Sequence, residues 1–132
     1  MGAAVKTLGQ VLKNGTATLM ARIRGDDAEE IVRADISAIA YTVFLLDDNN
    51  PNTRTEIENH EAVAVTVNSV VYDTLQTDDR WTVDATGYNF RHTIPIATYA
   101  AFETAGKHFL VEYVLTPVSG QKILVVYDLE CL

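Results

Sequence analysis

Residues 109–132, FLVEYVLTPVSGQKILVVYDLECL, decide the fold class of this chain. They read as two long strands joined by a turn at Pro117, Val118, Ser119 and Gly120. On the second strand Ile123, Val125, Tyr127 and Leu129 share one face, and Asp128 and Glu130 fall on the other. Successive side chains of a strand point to opposite faces, so this period of two marks a half-buried β-strand. The same alternation recurs upstream. In residues 16–24, Ala17, Leu19, Ala21 and Ile23 point one way, with Thr16, Thr18, Met20, Arg22 and Arg24 on the other side. Residues 61–67 place Val63, Val65 and Val67 inward. Residues 88–96 set Tyr88, Phe90, His92 and Ile94 against Asn89, Arg91 and Thr93. Pro95 has no N–H to give to a ladder, so it ends that strand or sets it at an edge.

Residues 36–46 form the most apolar run. Ile39, Tyr41, Val43 and Leu45 lie on one face; Ile36, Ala38, Ala40, Phe44 and Leu46 lie on the other. A strand apolar on both faces is covered on both faces, and in a small domain the second cover is expected to be another subunit. Asn14-Gly15 gives the strongest short hairpin signal. Residues 25–30, GDDAEE, and 47–53, DDNNPNT, are polar loops built from turn formers. Residues 69–77 break the alternation and predict one helical turn or two, with Ser69 as N-cap. Residues 98–106 read as a linker with a short helical turn. The sum is an all-β chain: an immunoglobulin-like antiparallel β-sandwich of about seven strands over residues 15–132. Residues 1–14 form an N-terminal arm or a first strand, and a barrel is the alternative architecture.

Composition narrows the function. A chain of 132 residues suits one domain with a core of its own. A single cysteine, Cys131, excludes an internal disulfide. Eighteen acidic residues against ten scattered basic ones give a net charge of -8, which argues against nucleic acid as a partner. No signal peptide or membrane span is visible, so the chain is expected to fold in a cytoplasm without secretion. Hydrophobic residues make up 48% of it, a share that suits a small domain burying surface in an assembly.

The chain offers little chemistry. His60, His92 and His108 are not spaced to put two ligands on one face, and each reads as an ordinary surface or half-buried residue. No metal site, cofactor or catalytic residue is expected. The acidic clusters read as solvated turns, with residues 47–50 the better calcium candidate among them. Arg24-Gly25-Asp26 and the sequon Asn14-Gly15-Thr16 read as turn residues. Nucleophile elbows, phosphate loops and dinucleotide fingerprints are absent, so the expectation is a protein without enzyme activity. Trp81 plugs one end of the sandwich or, with Tyr72 or Tyr88, stacks on a sugar ring, which would make a carbohydrate-binding module. DATGYNF, residues 84–90, resembles an immunoglobulin tyrosine corner, but taking the last hairpin as strands F and G puts Tyr88 in strand E. The candidate interface is apolar: Val5, Leu8, Val11 and Leu12 in the arm, and Ile36, Ala38, Phe44 and Leu46 on the two-sided strand. An arm of about thirteen residues reaches roughly 40 Å when extended, enough to cross onto a neighbour.

The segments NGTATLMARIRGDDAEEI, ADISAIAYTVFLLDD, DTLQTDDRWTVDATGYNFRHTIP and GKHFLVEYVLTPVSGQKILVVYDLE together resemble small immunoglobulin-like proteins of phage and phage-derived particles. The nearest pattern is the N-terminal domain of phage baseplate upper proteins and related tail or head accessory domains. The resemblance implies a non-catalytic structural subunit in a virion, assembled in the bacterial host cytoplasm. Its partners would be copies of itself and other particle proteins. Baseplate upper proteins carry a long C-terminal extension that this sequence lacks, which implies a stand-alone structural or decoration subunit.

Overall fold

The computed structural model describes residues 6–25, 29–47, 49–50 and 53–132, and for Lys6 the backbone alone. Nine strands are described: β1 (Lys6–Val11), β2 (Thr18–Ala21), β3 (Ile36–Leu46), β4 (Arg54–Glu56), β5 (Val63–Val65), β6 (Val71–Gln76), β7 (Tyr88–Thr93), β8 (His108–Pro117) and β9 (Ile123–Cys131). One short helix, α1 (Val67–Val70), and a 3-10 turn, Arg33–Asp35, complete the list of elements. The chain is therefore nearly all-β. Among the described residues no helix is long and apolar enough to cross a membrane.

The strands form two sheets. The larger runs β1-β9-β8-β3-β4, with β5 also on β3, and the smaller runs β2-β7-β6. All pairings are antiparallel except that of β1 with β9. The ladder β3-β8-β9 is built by the most apolar run, residues 36–46, and by the two strands of residues 109–132. Tyr41 lies opposite Tyr113, and Val111 opposite both Val43 and Tyr127. Because side chains alternate, these residues all point to one face. That face packs on the smaller sheet in a sandwich-like arrangement, with Leu19, Val71 and Phe90 in the same buried cluster as Tyr41, Tyr113 and Tyr127.

Several segments depart from the sequence reading. The Asn14-Gly15 turn exists, with Asn14 at φ 60°, but it joins no hairpin. β1 goes to β9 and β2 to β7, so the turn carries the chain from one sheet to the other. Its amides are held from outside: Lys13 N–H donates to Leu132 O at 2.9 Å and Asn14 N–H to Phe102 O at 2.7 Å. The helical turn lies earlier than expected, at α1, with Thr66 as N-cap, and most of residues 69–77 are strand β6. The supposed linker at 98–106 fills the core end, where Phe102 is fully buried edge-on to Phe109, centroids 5.4 Å apart. β4 carries no sequence signal, because its three residues are all exposed and have no apolar pattern.

Asn89 supplies a link that no pattern announces. It is buried, accepts from Ile23 N–H at 2.7 Å, and donates to the carbonyls of Ile23 at 2.9 Å and Ile31 at 3.1 Å. Its amide does the work of a backbone rung beyond the end of β2, and leaves no buried polar group unpaired there. One residue earlier than β7, Gly87 sits at φ 107°, and a Cβ added to it would lie 2.4 Å from Gln76 O.

Two substitutions test this packing. Leu115→Ala, at a fully buried site, should lower the unfolding free energy by about 3 kcal/mol in a urea titration. The exposed Leu8→Ala should change it by less than about 0.5 kcal/mol. Gly87→Ala should cost roughly 2–3 kcal/mol in the same titration, since it combines a strained φ with a backbone clash.

Candidate functional site

The outward face of the larger sheet is the first candidate. Register sets its rows. Glu56, Phe44, Leu110, Asp128 and Leu8 follow one another across β4, β3, β8, β9 and β1. A second row runs Ala64, Ala40, Val114 and Leu124. Phe44, Leu46, Leu110 and Val126 form a small apolar cluster separate from the main core. Each is largely buried by its neighbours on the sheet, and the Arg54 guanidinium lies 4.2 Å over the Phe44 ring. Arg54 also pairs with Glu112 at 3.6 Å, so this charged lid is tethered. Leu8 and Leu124 remain 79% and 36% exposed at the β1–β9 side. His108 pairs with Asp128 on the same face at 2.9 Å.

The predicted interface residues thus separate. Val11 and Ile36 are buried in the main core, where β1 and the start of β3 pack inward. Ile36 is turned there by a register shift between Ile36 and Ala38. Leu8, Leu12 and Ala38 are exposed, and Phe44 and Leu46 belong to the outer cluster. Val5 lies outside the described residues. The described part of the arm, β1, is paired within its own sheet.

Between the sheets lies a network of tyrosines and histidines. His60 is 2% exposed, a correction to its reading as surface or half-buried. Its Nε2 faces the Tyr99 carbonyl at 2.8 Å, and its Nδ1 faces the Tyr41 hydroxyl at 2.8 Å. A carbonyl only accepts, so Nε2 carries a proton, and in the neutral ring Nδ1 accepts from Tyr41. His92 Nδ1 meets the Tyr113 hydroxyl at 2.7 Å. Burial pushes the His92 pKa down to about 4. Burial also pushes Tyr113, Tyr127 and Tyr41 above the ordinary tyrosine value, so their hydroxyls keep their protons. Tyr127 spends its proton on Met20 O at 2.8 Å. Each of these hydroxyls and imidazoles has a partner inside the protein, so the network ties the sheets together.

Trp81 is the third candidate. Its ring lies 5.6 Å from that of Tyr88, which meets Tyr72 edge-on at 5.8 Å. The polar atoms of this run are committed: Trp81 Nε1 donates to Asp84 at 3.0 Å, and the Tyr88 hydroxyl to Asp78 at 2.6 Å. The Trp81 hydrogen bond, followed by those from Gly87 and Arg22, holds the Asp84 carboxyl well below the usual carboxylate range. Tyr88 acts similarly on Asp78. Tyr88 is itself only 2% exposed, so Trp81 and Tyr72, both half-buried, are the rings that face outward.

Among the described residues no three His, Cys, Asp or Glu side chains converge as a metal site. The calcium candidate includes Asp48, outside the described residues; Asp47 turns back to cap its own loop, accepting from Asn49 and Asn50 N–H at 2.8 and 3.2 Å. Asp26 of the Arg24-Gly25-Asp26 tripeptide is likewise outside them. No family model, curated protein or solved structure matches the chain.

The half-buried imidazole of His92 makes stability depend on pH. An unfolded chain protonates His92 near pH 6.5, while the folded protein resists until about pH 4. The stability is therefore fully present above pH 6.5 and is lost as pH falls from 6.5 toward 4. A melting series across that range should show Tm falling. His92→Gln, which keeps an acceptor for Tyr113 but does not titrate, should flatten the slope.

Proposed function

We propose that this protein is a non-catalytic structural subunit of a phage or phage-like particle, a tail, baseplate or head decoration protein that works through protein–protein contacts. The observation that carries this reading is the outward face of the larger sheet. It holds an apolar cluster (Phe44, Leu46, Leu110, Val126) beyond the core and exposes Leu8 and Leu124 at its side. Sheet faces turned to solvent are ordinarily polar, so an apolar cluster on this face with exposed leucines beside it favours a contact surface. Glu56, Glu112, Asp128 and Glu130 border the cluster, against Arg54 and His108. That balance favours a neighbour with a basic rim at this face.

The finer fold assignment goes with the proposal. The order β2-β7-β6 fits strands B, E and D of an immunoglobulin-like sandwich, and β9-β8-β3-β4 fits G, F, C and C′. The resemblance of the sequence to phage particle proteins points to the virion as the place of action. Copies of the chain and other particle proteins are then its partners, and the net charge of -8 disfavours nucleic acid.

A second reading, a carbohydrate-binding module, draws on the run of rings from Trp81 through Tyr88 to Tyr72. The commitment of Trp81 Nε1 and the Tyr88 hydroxyl to carboxylates weakens it.

The test is a double substitution, Leu8→Asp with Leu124→Asp, at exposed positions. It should leave Tm nearly unchanged and abolish incorporation into particles, scored by co-sedimentation. Incorporation at the wild-type level would reject this face as the interface.

A further inference from the structure

Among the described residues, each sheet presents to the same groove a strand with one unpaired edge. Among the described residues β1 pairs only with β9 and β2 only with β7. The free sides of β1 and β2 border a groove of about 310 Å³, floored by Leu19, Tyr127 and Leu129 and walled by residues 80–83. Backbone direction can be read from the hydrogen bonds. Val11 O accepts from Leu132 N–H, on the β9 side. By alternation the amides and carbonyls of Leu8 and Gln10 face away from β9, toward the groove. Ala17 O accepts from Ile94 N–H, on the β7 side, and Met20 O accepts from the Tyr127 hydroxyl, on the groove side. Thr18 shares the side of Met20. Natural edge strands are guarded by charges, proline or bulges. Here the two strands read KTLGQV and TLMA, with Lys6 as their one charge and no proline.

We propose that this groove takes an extended segment of a partner protein by β-strand addition. Main-chain bonds to the free edge groups would hold it, and alternate apolar side chains would pack on Leu19, Tyr127 and Leu129. The charge of the groove selects the segment. Among the described residues that line it, Arg80 is the one that carries a charge, although the chain as a whole carries -8. The occupant is therefore an apolar-alternating strand that brings a carboxylate to Arg80. This site shares Leu8 with the outward sheet face, using its main chain rather than its side chain, and does not depend on that reading.

The probes are two synthetic peptides, EVTVTV and KVTVTV. Trp81, the single tryptophan, lines the groove and reports binding by its emission. Amide exchange at Leu8, Gln10 and Thr18 reports the edge. The acidic peptide should saturate the Trp81 signal, slow exchange at these three amides, and bind about fivefold or more tightly than the basic one. Arg80→Glu, at an exposed position, should invert that preference while Tm holds. The proposal is overturned if neither peptide gives a saturable change up to about 1 mM, or if affinity ignores the charge in both proteins. It is also overturned if the three amides are already protected in the free protein. Protection that is independent of protein concentration would make the chain's own N-terminal residues the occupant; protection that grows with concentration would make it a second copy.

Discussion

The structure turns on Tyr113. It projects from β8 into the space between the sheets, is fully buried, and cannot leave its hydroxyl unpaired there without a cost of a few kcal/mol. The partner it finds, His92, belongs to the opposite sheet. Its ring meets Phe90 of that same sheet edge-on at 4.9 Å, and Tyr41 and Tyr127 of its own sheet at 6.0 Å each. One side chain thus fixes the separation of the sheets and their lateral position. It also fixes register, because a slip of one residue in β3 or β9 would carry Tyr41 or Tyr127 to the outside. The secondary ties follow the same logic: Tyr127 to Met20, His60 to Tyr41 and Tyr99, and Asn89 to Ile23 and Ile31. Each brings a buried polar group to a partner on another segment.

What the sequence reveals depends on how far each interaction is from local. β3 spans Ile36–Leu46 as the apolar run indicates, and β8 and β9 follow the alternation of residues 109–132. Such strands are legible because each inward residue meets the same kind of environment. Asn14-Gly15 is a genuine turn, yet the sequence cannot show that the strands it joins part to different sheets. That outcome is decided by the pairing of β1 with β9, more than a hundred residues away. Phe102 looks like one apolar residue in a linker; only the fold shows the gap beside Phe109 that it fills. The roles of the histidines are not legible in the sequence, because spacing rules search for shared ligands. His60 and His92 instead serve as single partners to tyrosines far along the chain.

The two-sided strand links fold to function. β3 gives Tyr41 and Val43 to the core and Phe44 and Leu46 to the outer cluster. Part of the second cover comes from within the chain, through Leu110, Val126 and the guanidinium of Arg54. Apolar surface left beyond that cover, at Leu8 and Leu124, is what the proposed neighbour would bury.

Electron microscopy of particles from cells that make this protein tests the central claim most directly. The account predicts repeated copies of the sandwich in the particle, each with the outward face of β3, β8 and β9 against a neighbouring subunit and Leu8 and Leu124 buried in the contact. Particles without the protein, or with that face open to solvent in every copy, would contradict it.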